Sequence, residues 1–159
     1  MIAARDVFAE TNPAFCGAVL AQFCVAYQAT RNGVWPAAAL VYLVVPLAIS
    51  EDLAPTYDGC NRDTGLTLWM SRNPKVTVDL AKKVNSTLEI TTTAIRFGCI
   101  AGVFELNADG SVESTRKTLP AAVTTGVAST ALKRARLLGI WMAAMGSPRS
   151  VLEELGVSV

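Results

Sequence analysis

The sequence predicts a mainly α-helical domain with one small β-hairpin, and within it a winged helix-turn-helix-like unit. Three observations predict this. Apolar residues recur at spacings of three and four over most of the 159 residues, the period of a helix buried on one face. Helix starts are punctuated: Asn12-Pro13, Asn73-Pro74 and Ser147-Pro148 each put a capping side chain before a proline, where the missing N–H costs nothing. One stretch, residues 103–113, alternates with period two around Asp109-Gly110, a strong hairpin turn pair. The length suits a single compact domain over residues 1–159. Its parts are a helical region (1–71), the winged-helix-like unit (72–118) and the C-terminal helices (119–159).

The first helix opens at Asn12-Pro13, runs to about Thr30 and stops at the turn residues Arg31-Asn-Gly33. An uncharged run of sixteen residues, 34–49, follows and predicts a second helix from about Pro36 to Ile49. It falls short of the about 20 residues a membrane-spanning helix needs and contains Pro36 and Pro46. The N-terminus lacks the basic region, apolar core and cleavage site of a signal peptide, so a soluble, cytoplasmic protein is expected. Residues 51–63 form a polar connection containing Pro55 and Gly59, and residues 64–71 a short helix around Leu66, Leu68 and Trp69.

Asn73-Pro74 then starts a helix with Val76, Leu80, Ala81 and Val84 inward, and a break is expected at Asn85-Ser86-Thr87. The next helix is expected to bury Ile90, Ala94, Phe97 and Ala101 and to end at Gly102 before the hairpin. Helix, turn, helix and hairpin in that order read as a winged helix-turn-helix, a fold that serves both DNA binding and protein docking. The outward positions Glu89, Thr92, Thr93 and Arg96 offer one arginine beside a glutamate, thin for base readout. Contacts to the phosphates of double-stranded DNA would fall to Lys75, Lys82, Lys83, Arg96, Arg116 and Lys117; a solvated face is the competing reading.

The chain ends on a basic amphipathic helix. Ala131, Ala135, Leu138, Met142 and Met145 share one face, with Lys133, Arg134 and Arg136 among them. Gly146 suits a left-handed stop, Ser147 a cap and Pro148 the first position of a last short helix closing on Leu155-Gly156-Val157.

Composition excludes more than it assigns. The chain has no histidine, which removes Ser-His and Cys-His nucleophilic systems and the commonest metal ligand. Cys16, Cys24, Cys60 and Cys99 sit singly, without a C-x-x-C pair, and read as reduced core thiols rather than zinc ligands. No paired carboxylates stand at convincing spacing, so neither an enzyme nor a cofactor is expected. Hydrophobic residues make up 52% and charged ones 17%, with mean hydropathy +0.38, below the usual quarter of charged residues. A surface that poor in charge fits a subunit of something larger. The net charge of +1 is divided, with three basic and six acidic residues in 1–70 and eleven and seven in 71–159.

Taken in order, these fragments resemble the middle component of the three-component ABC-ATPase systems, bacterial conflict modules that include the Lamassu type. The resemblance runs through Asn12-Pro13-Ala14-Phe15, Val45-Pro46-Leu47, Leu68-Trp69, Leu138-Gly-Ile-Trp141, Gly146-Ser-Pro148 and Leu155-Gly156. One departure is that Thr91-Thr92-Thr93 stands where the family often has a Thr-Arg pair. The resemblance implies a non-catalytic adaptor between an ABC ATPase of the structural-maintenance-of-chromosomes or Rad50 kind and an effector, often a nuclease, in anti-phage defence. On that reading Trp35, Trp69 and Trp141 are candidate interface anchors, although simple core packing is the favoured reading of each one singly. Lys133, Arg134 and Arg136 are candidate docking cations for an acidic partner surface, or a solvated helix face. The alternative function is a winged-helix transcription regulator.

Overall fold

The computed structural model describes residues 12–115 and 127–157. Seven α-helices are seen among them: α1 (Pro13–Thr30), α2 (Ala38–Val41), α3 (Val44–Ala48), α4 (Leu66–Arg72), α5 (Leu80–Ile100), α6 (Val127–Ala144) and α7 (Pro148–Leu155). Two 3-10 turns (Glu51–Tyr57 and Pro74–Val76) and the antiparallel strands β1 (Phe104–Leu106) and β2 (Val112–Ser114) complete them. Helices α1 and α6 form the central pair, and α5 also packs on α1.

Two of the three expected caps are present. At Asn73-Pro74 only the 3-10 turn forms: the Asn73 side chain caps no helix but donates its Nδ2 to Trp69 O at 2.9 Å, and α5 begins only at Leu80. Asn12 Oδ1 accepts from the backbone N–H groups of Ala14 and Phe15 at 3.0 and 3.3 Å, satisfying two donors that a helix start leaves open. Helix α1 then buries Cys16, Val19, Leu20, Phe23, Cys24 and Tyr27 and ends where Asn32 takes a left-handed φ of 51°. At the other end of the chain, Ser147 Oγ accepts from Ser150 N–H at 3.1 Å. Helix α7 closes at Gly156, φ 71°, with Val157 N–H bonded to Leu152 O and Gly156 N–H to Glu153 O, the paired bonds of a Schellman stop.

The apolar run departs from the sequence reading. Two short helices replace the single helix expected over 36–49, interrupted at Tyr42 and Leu43. Pro46 accounts for it: proline has no N–H to give the Tyr42 carbonyl four residues back, and its ring crowds that carbonyl. Residues 43–49 are all buried. The pair of short helices bends by 93° into the 3-10 turn that follows, and no single helix among the described residues is long and apolar enough to cross a membrane.

The larger departure concerns the winged unit. No break occurs at Asn85-Ser86-Thr87, because α5 runs continuously from Leu80 to Ile100. Ser86 and Thr87 turn their hydroxyls onto the Lys83 carbonyl at 2.9 and 3.0 Å instead of capping a new helix. The buried face also differs: Leu80, Thr87, Thr91, Ala94, Ile95 and Gly98 point inward, while Ala81, Phe97 and Ala101 are exposed. The helix-turn-helix placed at residues 85–87 is therefore absent. The hairpin half of the expectation stands, with Phe104 opposite Ser114 and Leu106 opposite Val112. Its turn is held by Asp109 Oδ1, which accepts from Ser111 N–H at 3.0 Å and Ser111 Oγ–H at 2.6 Å. The hairpin is stitched to the start of the apolar run by Val112 N–H to Pro36 O and Ala38 N–H to Gly110 O, both 2.9 Å.

Candidate functional site

The three groups of residues singled out in the sequence come to different ends. Trp69 and Trp141 are fully buried, at 0% exposure, so neither presents a surface to a partner. They pack on Tyr57, which lies 5.0 Å from the Trp69 ring and stacks on Trp141 at 6.2 Å with an 8° interplanar angle. Their polar edges are satisfied inside the fold: Trp69 Nε1 donates to Thr56 O at 3.2 Å and Trp141 Nε1 to Asn61 O at 3.0 Å, as buried indoles require. Trp35 is half-buried and packs on the edge of the core.

Arg134 belongs to this aromatic nest. Its Nη1 donates to Ala48 O at 3.0 Å, satisfying a carbonyl at the end of α3, and its guanidinium lies 5.9 Å from the Tyr57 ring centre. The Tyr57 hydroxyl donates to Leu47 O at 2.8 Å. Burial raises the Tyr57 phenol above its ordinary pKa, with the Arg134 charge opposing. Arg134 is thus a clamp between α6 and the end of α3, whereas Lys133 and Arg136 on the same helix are exposed. Of the three candidate docking cations, those two remain exposed.

Among the described residues, some of the candidate phosphate contacts are engaged within the fold. Asp52 holds two of them: Lys83 Nζ sits 2.7 Å from its Oδ2, and Lys75 Nζ donates to its backbone carbonyl at 3.1 Å. The Lys83 bond, with a further one from Ser50, keeps the Asp52 carboxyl below its ordinary pKa. Lys82 and Arg96 are exposed but fourteen residues apart on one continuous helix, about 20 Å along its axis. Arg116 and Lys117 lie outside the described residues.

Two features that carry the architecture were not singled out in the sequence. Asp52 and its lysines are 23 and 31 residues apart, and no local pattern announces such a tether. Gly139 had a signal, a glycine inside an otherwise good helix. A Cβ there would lie 2.6 Å from Phe23 O and 2.9 Å from Ala26 Cβ, so the residue lets α6 rest on the α1 backbone. The segment Leu138-Gly-Ile-Trp141 therefore reads as packing chemistry, with all four residues buried. Among the described residues no group of Cys, Asp and Glu side chains is placed to hold a metal ion.

Fold and surfaces together define a mainly helical protein whose sequence motifs lock helices to one another and whose open features are exposed faces. A family model described as ABC-three component (ABC-3C) system Middle Component 3 matches residues 6–159, essentially the whole chain. The protein belongs to that family and is a middle component of an ABC three-component system. No curated protein and no solved structure matches the chain.

Proposed function

We propose that this chain is a non-catalytic, cytoplasmic adaptor that links an ABC ATPase of the structural-maintenance-of-chromosomes or Rad50 kind to an effector, a nuclease in the leading case, within a Lamassu-type anti-phage complex. The observation that carries the reading is membership of the middle-component family over residues 6–159. The layout of α6 supports it: residues 138–143 are buried without interruption, while Lys133 and Arg136, one turn apart, face outward. That pair suits an acidic surface on the ATPase, where exposed charges steer association more than they add affinity. The continuous α5 and the scattered cations give no matching support to a transcription regulator.

The test is co-expression with the ATPase encoded beside this chain, followed by affinity capture of the ATPase at two salt concentrations. The adaptor reading expects co-purification, and Lys133→Glu combined with Arg136→Glu reduces the captured fraction about tenfold or more. A protein that elutes apart from the ATPase at low salt overturns it. Operator-specific duplex binding by the isolated chain at physiological salt would replace it with the regulator.

A further inference from the structure

The outer face of α5 carries an unusual set of residues for a solvated helix. Phe97 is 48% exposed and Ile100 89% exposed, and with Ser86, Glu89, Ile90, Thr93 and Arg96 they form one continuous stripe opposite the buried Thr87, Thr91 and Gly98. At the start of that stripe an open cleft of about 340 Å³ is lined by Pro13, Ser86, Glu89, Ile90 and Thr93. The stripe thus has protruding apolar side chains at one end and a hollow at the other.

We propose that this stripe is a two-fold homodimer interface, with α5 of a second copy lying antiparallel across it and centred on Thr93. The pattern is self-complementary in that register. Pairing about Thr93 sets Ser86 level with Ile100 of the second copy, so each Ile100 enters the cleft beside Pro13 of the other. Ile90 and Phe97 lie on one flank of the stripe, and an antiparallel two-fold brings like flanks together, so Ile90 meets Phe97 of the second copy. Glu89 and Arg96 share the other flank, seven residues or about 10 Å apart, and the same operation sets each Glu89 beside an Arg96. Among the described residues neither Glu89 nor Arg96 is in an ion pair. A parallel two-fold brings opposite flanks together and would set Glu89 and Arg96 against the apolar Ile90 and Phe97 of the second copy, leaving both charges unpaired. Each contact recurs twice, as an isologous interface requires. One helix face per copy is a small interface, so association in the micromolar range is expected.

The test is sedimentation equilibrium of the full chain up to about 100 μM, beside Glu89→Lys, Arg96→Glu and the double swap. A concentration-dependent dimer is expected, weakened about tenfold or more by either single reversal and restored by the double swap. Both exchanged positions are exposed, and circular dichroism checks that each variant stays folded. A monomer at every concentration overturns the proposal and leaves the stripe to a different protein or to residues 1–11. A dimer indifferent to the single reversals, or one that the double swap does not restore, overturns it equally. Neither outcome bears on ATPase capture through α6, so this inference and the adaptor reading fail separately.

Discussion

Gly139 sets the separation of α1 and α6, because the atoms a side chain would meet there are the Phe23 carbonyl and the Tyr27 amide of α1. Backbone cannot swing aside as a flexible side chain does. Gly139→Ala gains about 1 kcal/mol of helix propensity and loses more to overpacking, so a net destabilisation of about 1–3 kcal/mol is expected. Urea denaturation read as a shift in midpoint checks it, and a variant more stable than the natural protein would show that the helices are not in contact there. Asp52 gives a second prediction, in pH. Its folded pKa is lowered by Lys83 and Ser50, so the stability it contributes is present above the ordinary carboxylate pKa and fades as pH falls through the lowered one. The natural protein should therefore be more stable than Asp52→Asn at pH 7, by no more than the small worth of an exposed pair. That difference should shrink steadily below about pH 4. A gap between the two denaturation midpoints that is unchanged at acid pH would remove Lys83 from the account.

At the scale of the element, the continuity of helix α5 through residues 85–87 is testable directly. Asn85→Pro takes away the N–H that a continuous helix directs at Ala81 and crowds its carbonyl, so a loss of about 3 kcal/mol or more is expected. A turn at residues 85–87 would accept the same proline with little cost. A thermal or urea midpoint within error of the natural protein would thus restore the turn. The break was a fair inference from Asn85-Ser86-Thr87, three residues that favour caps and turns, and failed because Ser86 and Thr87 back-bond to Lys83 within the helix. The inner face was misassigned for a related reason. Periodicity selects the apolar residues Ile90, Phe97 and Ala101, but α5 approaches its neighbours through Thr87, Thr91 and Gly98, whose small side chains admit close packing. Gly98 faces the ring of Phe104 directly. Helix boundaries at Asn12-Pro13, Gly146-Ser-Pro148 and Gly156 were legible because capping is local chemistry, written within four residues. The two exposed cations of α6 were legible only as members of a basic cluster, since nothing local distinguishes Arg134, bonded to Ala48 O, from Lys133 and Arg136.

At the scale of the whole molecule, the core joins early and late helices: α1 packs on α6, and Tyr57, Trp69 and Trp141 bring the middle segments onto α6. Opening such a core anywhere along the α1–α6 seam should open it widely, and the thiols report on this. Cys24 is fully buried on α1, and burial pushes its thiol up to about 12. Near pH 8 it holds on the order of one thiolate in ten thousand and offers no access to a reagent. Cys60 and Cys99 are half-buried and need only local motion to react. Alkylation followed by mass spectrometry should therefore label Cys99 and Cys60 well before Cys24, with Cys24 modified only through large-scale opening. Gly139→Ala links the two measurements. By weakening the α1–α6 contact it should speed Cys24 labelling in proportion to the stability it costs, while leaving Cys99 nearly unchanged. Equal labelling rates for Cys24 and Cys99 in the natural protein would mean that α1 opens independently of the rest, and the single joined core would have to be divided.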